Sequence, residues 1–178
     1  MTGAFDMGPD ELRARLLEFD RAVALLHPGR AFRLVIVGGG ALVLLGCLAR
    51  STSDLDALQY PAELLPLMEK YDLSNRVTAY MDHFAYNFED RLVALDLPTT
   101  AVQCFTASLE DVVASKLHSD RPTDHSDVRR PEVLQTLDWD RLASIVREMR
   151  ESTLVERRYR EFLTNYEAYR KECGPCDA

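Results

Sequence analysis

Two aspartates, Asp54 and Asp56, flank Leu55. Alternate residues of a strand share a face, so this spacing aims both carboxylates one way and sends Leu55 into a core. Two like charges so close call for a cation, and oxygen-only ligands select a hard one such as Mg²⁺ (or Mn²⁺). Such an ion takes one or two carboxylates and fills its shell with substrate phosphates and water. Standing alone, the pair reads equally as a turn residue followed by a solvated strand position. Upstream, Leu34-Val35-Ile36-Val37 runs into Gly38-Gly39-Gly40 and then an apolar stretch. Glycine lets a backbone come close to phosphate, and a helix start offers free N–H groups. The two common nucleotide loops do not fit, because Val43 stands at the third glycine position of G-x-G-x-x-G and no Lys-Ser/Thr follows. A third cluster, Lys116, Asp124 and Asp127, reads by itself as a solvated helix with local ion pairs.

These residues need elements to position them. Pro9, Asp10 and Glu11 open a helix whose Leu12, Leu16, Phe19, Val23 and Leu26 recur at helical spacing to His27. Leu34–Val37 is a buried strand, 41–48 a short buried helix, and 54–58 the next strand. Pro61–Tyr71 reads as a helix, and residues 72–90 give no readable element. Leu92–Leu97 and Ala101–Phe105 are two further strands. Ser108 with Asp111 forms a capping box for a helix through Leu117. Segments 124–128, 131–137, 142–149 and 154–169 are helical. The expected fold is α/β (α+β): a small mixed sheet flanked by helices, with a helical C-terminal third. A single domain, 1–178, is expected, with a core about 30–128, C-terminal helices about 131–172 and a flexible tail 173–178.

The 178 residues are 47% hydrophobic and carry a net charge of −8, enough apolar material for a buried core and the wrong sign for general phosphate or DNA binding. Glycines interrupt the apolar run 34–48, which is too short to span a bilayer. Met1–Pro9 has no cationic start and apolar block, so a cytoplasmic, reducing location is expected. Cys47 and Cys104 read as small buried hydrophobes. Cys173 and Cys176 form a C-x-x-C resembling the thioredoxin loop, but only Asp177 and Ala178 follow, too little for the helix that lowers a thiol pKa. No second pair is present for zinc. Arg147, Arg150, Arg157, Arg158 and Arg160 alternate with Glu148, Glu151, Glu156 and Glu161, the pattern of a solvated face rather than an RNA groove.

Val37-Gly38-Gly39-Gly40, then Arg50-Ser-Thr52-Ser-Asp54-Leu-Asp56, then Ser108–Leu117 followed by Arg121, Asp124 and Asp127, resemble the polymerase-beta-like minimal nucleotidyltransferase superfamily. The similarity covers roughly 34–128 and is to the abortive-infection and toxin–antitoxin branch. It implies that Gly38, Gly39, Gly40 and the helix start hold nucleotide phosphates, and that Asp54 and Asp56 bind the metals. It implies too that Lys116 reaches the triphosphate and Asp127 completes a Lys–Asp pair, with Arg50, Thr52 and Arg121 as further nucleotide contacts. The superfamily's third carboxylate falls to Asp96, at a strand end beside Pro98. The implied activity moves a nucleoside monophosphate from an NTP to an RNA, protein or small-molecule acceptor. The branch implies a toxin with a cognate antitoxin protein as partner, or a phage-defence role. Two rivals remain: a nucleotide-binding partner module without turnover, and a Rossmann-like enzyme with Asp54 or Asp56 on a ribose, which Val43 argues against.

Overall fold

A computed structural model describes residues 8–49, 52 and 55–175. The chain divides into two compact units, one of residues up to Ala79 with Leu92–Ala107, the other of Tyr80–Arg91 with Ser108 onward. The expected core, 30–128, contributes to both.

The first unit opens with α1 (Pro9–Leu26), whose proline stands at the first helical position and whose Glu11 carboxylate accepts the Gly8 N–H at 2.8 Å. Leu12, Leu16, Phe19 and Val23 are all fully buried, as their spacing predicts. There follow β1 (Phe32–Val37), α2 (Gly38–Leu44), β2 (Leu55–Gln59), α3 (Leu65–Lys70), β3 (Leu73–Ser74), β4 (Val93–Ala94) and β5 (Val102–Thr106). The sheet order is β3-β2-β1-β5-β4. β1 runs parallel to β5 and antiparallel to β2, so the sheet is mixed, and α1 packs on α2, α3 and β5. Antiparallel neighbours at β1 and β2 do not make the parallel βαβ unit that a Rossmann-like enzyme requires.

Local chemistry explains where the elements depart from expectation. The glycines join α2 instead of preceding it, and α2 ends at Leu44, with Gly46 at φ +74° turning the chain. The helix expected over Pro61–Tyr71 splits into a 3-10 turn, Ala62–Leu64, and α3. Pro66 lacks the N–H that would bond back to Ala62. The strand expected over Leu92–Leu97 keeps two residues, because the Leu97 N–H turns back to the Leu95 carbonyl at 2.9 Å and the Thr99 N–H to that of Leu97 at 2.8 Å.

The second unit is helical: α4 (Leu109–His118), α5 (Pro122–Val128), α6 (Pro131–Thr136), α7 (Trp139–Ser152) and α8 (Glu156–Cys173). Ser108 caps α4, its hydroxyl accepting the Asp111 N–H at 3.1 Å. α4 packs against α5, α7 and α8, burying Val112, Val113 and Leu117 on its side and Ile145, Met149 and Phe162 opposite. The Tyr169 hydroxyl ties α8 to α5 by donating to the Val128 carbonyl at 2.8 Å. No helix among the described residues is long and apolar enough to cross a membrane.

Candidate active site

The sheet register sets Asp56 directly opposite Val37, the last residue before the glycines. Leu55 and Ala57 on either side are fully buried while Asp56 is half-buried, which is the alternation the sequence predicts. The pairing slips between Val35 and Ile36, whose partners are Gln59 and Ala57, leaving Leu58 as an extra residue on β2. Such a bulge re-aims the side chains beyond it, here Asp56. Gly38 has φ +67°, and a Cβ there would stand 3.1 Å from Asp56 Oδ2. Both observations require glycine, since a side chain would strain the backbone and press on the carboxylate. Gly39 and Gly40 continue into α2, Gly40 buried and Gly39 half-buried. Strand, glycine turn and acid therefore meet at one end of the β1–β2 ladder. Thr52 makes an isolated bridge and is half-buried, while Arg50 and Asp54 lie outside the described residues.

Asp96 does not join this group, and that expectation is corrected. β4 lies at the opposite edge of the sheet from β3, three strands from β2 or about 14 Å at ordinary strand spacing. Continuing the β4–β5 register past Ala94 brings Asp96 level with Gln103 and hence with Arg33, four residues or about 13 Å from the level of Val37 and Asp56. Asp96 is exposed, at the point where the chain folds back before Pro98, and its carbonyl accepts from Arg13 Nη1 at 3.4 Å. Among the described residues no three His, Cys, Asp or Glu side chains are grouped to hold a metal.

Lys116 stands on α4 with its side chain 7% exposed. Its Nζ lies 2.5 Å from Asp124 Oδ1 and 3.0 Å from Asp127 Oδ2, both on α5. Asp124 Oδ2 also accepts the Ser119 hydroxyl at 2.7 Å and faces Arg121 Nε at 3.3 Å. Burial pushes the Asp124 carboxyl up, but Lys116, Ser119 and Arg121 outweigh it and hold the group below the usual carboxylate range. The three residues thus form a buried ion triad joining two helices, not a solvated face. Arg121 itself is exposed.

Asp111 in the second unit and Asp20 in the first are buried acids whose partners no local pattern reveals. Asp111 accepts Arg91 Nε and Nη2, each at 2.9 Å, and Arg91 Nη1 reaches Glu148 at 3.0 Å. The capping-box acid therefore pairs with an arginine twenty positions upstream, a separation that leaves no local signal. In the first unit, Asp20 on α1 accepts the backbone N–H groups of Thr100, Ala101 and Val102 at 3.0, 2.8 and 2.7 Å. Asp20 stands four residues after Leu16 on the apolar face, an oddity the sequence did display. Cys173 closes α8, where burial pushes its thiol pKa up, the reverse of a reactive thiolate, and Cys176 lies outside the described residues.

A mixed sheet with a glycine turn against a strand aspartate is the arrangement that the nucleotidyltransferase resemblance implies. The family model described as "Nucleotidyltransferase of unknown function (DUF6036)" matches residues 14–173, and the chain belongs to that family. The matched span takes in β1, the glycines, Asp54, Asp56, Lys116 and Asp127. Neither the curated proteins nor the solved structures give a match.

Proposed function

We propose that the protein is a metal-dependent nucleotidyltransferase that uses Asp54 and Asp56 as its metal-binding carboxylates and Gly38–Gly40 as its phosphate cradle. The observation that carries this reading is the placement of Asp56 Oδ2 against Gly38, at the mouth of the β1–α2 turn. An oxygen-only donor set of one or two carboxylates fits Mg²⁺ or Mn²⁺. When bound by Asp54 and Asp56, such an ion supplies neutralisation of charge on the attacking and leaving oxygens.

The chain's own residues supply placement. Glycine at position 38 leaves room for the Asp56 carboxylate, on which a Cβ would press. In the transfer, an acceptor hydroxyl loses its proton to solvent as its oxygen bonds to the α-phosphorus of a nucleoside triphosphate, the bond to the bridging oxygen of the β-phosphate breaks, and pyrophosphate leaves. Holding the two reactants in line provides much of the rate. Arg50, Thr52 and Arg121 are further candidate phosphate contacts. The resemblance adds Lys116 as a triphosphate contact, a role for which it would exchange its partners Asp124 and Asp127. The resemblance supports an RNA, protein or small-molecule acceptor, and a toxin with a cognate antitoxin as the setting.

A second reading, a nucleotide-binding module with weak turnover, is favoured by one observation, the position of Asp96 far from Asp56. Incubation with each of the four α-labelled nucleoside triphosphates, Mg²⁺ or Mn²⁺, and total RNA or lysate separates the two. Label carried to an acceptor, with release of unlabelled pyrophosphate, supports transfer. Saturable nucleotide binding with no transferred label supports the module.

A further inference from the structure

Asp56 has a polar neighbour on the flank away from the glycine turn. β3 runs parallel to β2, with Leu73 level with Leu55 and Ser74 level with Asp56. Residues level with each other on adjacent strands share a face. Leu55 and Leu73 are buried together, while Asp56 and Ser74 are both half-buried, as that rule requires. Ser74 therefore stands one strand spacing, about 4.8 Å, from Asp56 on one side, as Val37 does on the other. Its Oγ accepts the Arg76 N–H at 3.3 Å, which fixes the side chain and leaves the hydroxyl proton to give. The turn that follows holds itself in place: Thr78 Oγ1 donates to the Asn75 carbonyl at 2.8 Å, and Asn75 Nδ2 to the Tyr60 hydroxyl at 3.3 Å. β3 is an edge strand of the sheet, and Asn75 and Arg76 beyond it are exposed.

Displacement at phosphorus gives this flank a use. The attacking and leaving oxygens lie in line, on opposite sides of the α-phosphorus. On the nucleotidyltransferase reading, the glycine turn after β1 holds the phosphates that leave, and Asp56 on β2 holds the metal beside the α-phosphate. The line from β1 through β2 continues to Ser74 at the sheet edge. We propose, resting on that reading, that the acceptor enters over β3 and that the Ser74 hydroxyl donates a hydrogen bond to the attacking oxygen. The bond turns a lone pair of that oxygen toward phosphorus, which is placement rather than proton transfer. The acceptor's proton goes to solvent and the Ser74 proton stays on Oγ. The bonds made and broken are those of the transfer itself.

Two measurements on the full chain keep a failure here distinct from a failure of the reading beneath it. The first titrates Mn²⁺ alone and follows the free ion by electron paramagnetic resonance. Ser74→Asp sets a further carboxylate on the face of Asp56 and is expected to tighten Mn²⁺ binding at least about tenfold, with Ser74→Ala binding as the parent does. Mn²⁺ bound equally by the parent and Ser74→Asp overturns the placement of Ser74 and leaves the reading standing. Mn²⁺ bound by neither overturns both. The second follows transfer of α-label to total RNA and to lysate protein, with acceptor and nucleoside triphosphate varied in turn. Ser74→Ala is expected to raise the half-saturating concentration of the labelled fraction at least about fivefold and to leave that of the nucleotide unchanged. Ser74→Thr, which keeps the hydroxyl, is expected to recover most of the loss. An equal rise for nucleotide and acceptor puts Ser74 on the leaving side and overturns the proposal, as does a Ser74→Ala chain that matches the parent for both. A parent that binds Mn²⁺ and nucleotide but labels no acceptor overturns transfer, and the proposal with it.

Discussion

Lys116 shows how much a residue's surroundings decide. Its type and spacing fit a phosphate contact, yet its ammonium sits between two carboxylates on the next helix. Removing one partner of a buried ion cluster leaves uncompensated charge, which costs about 3–5 kcal/mol, whereas losing an exposed pair costs less than about 1 kcal/mol. Lys116→Ala is therefore expected to lower stability by that larger amount, measured by urea unfolding, and D124N/D127N in the same background is expected to restore part of it. Loss of nucleotide affinity at unchanged stability would instead return Lys116 to the triphosphate. Asp20 makes the same argument from the other side, as one carboxylate that satisfies three consecutive N–H groups at the start of β5. Asp20→Ala leaves the buried Ala101 and Val102 donors unpaired, so a loss of about 2–5 kcal/mol is expected. An urea midpoint unchanged from the parent would contradict it.

At the scale of elements, the segment Tyr80–Arg91 is held to its unit by aromatic stacking and by the Arg91 ion pairs rather than by strand pairing. His83 lies between Tyr80 and His118, and burial together with the facing His118 holds its pKa down to about 4, against the pull of Asp82 and Asp120 and alongside the push of Arg158. Burial lowers the His118 pKa as well. The unfolded chain takes up a proton near pH 6.5 that the folded chain refuses until about pH 4, so stability falls as pH drops through that window and is unaffected above it. His83→Phe removes one such group, and its melting temperature should fall less than the parent's between pH 7.5 and 4.5. Parallel profiles would show that the stack plays no part in acid sensitivity. This segment is also where the sequence was least legible. Its 3-10 turns, Arg76–His83 and Phe88–Arg91, carry neither the 3.6-residue nor the two-residue period by which elements are read. By contrast α1, β1 and α4 were readable because a full apolar stripe, a β-branched run ending in glycine, and a Ser108 cap each announce themselves locally.

For the molecule as a whole, the mixed sheet and helical C-terminal region follow from that order of elements, and the glycine turn meets Asp56 where strand alternation and one turn require it. What the sequence could not carry is distance across the sheet. Asp96 had the right residue type and a strand-like context, but its strand pairs with β5 at the far edge, and nothing within Leu92–Leu97 records which neighbour it takes. Lys116 and Arg91 likewise acquire their meaning from partners on other segments. The central claim rests on the carboxylate beside Gly38, so the most direct test is the rate of label transfer from an α-labelled nucleoside triphosphate by Asp56→Asn beside the parent chain, with Mg²⁺ or Mn²⁺. Asp56 is half-buried, so the melting temperature of the metal-free variant is measured beside the parent's to show that it is folded. The account predicts transfer reduced by at least about 100-fold in that folded variant; transfer at the parent's rate would contradict it.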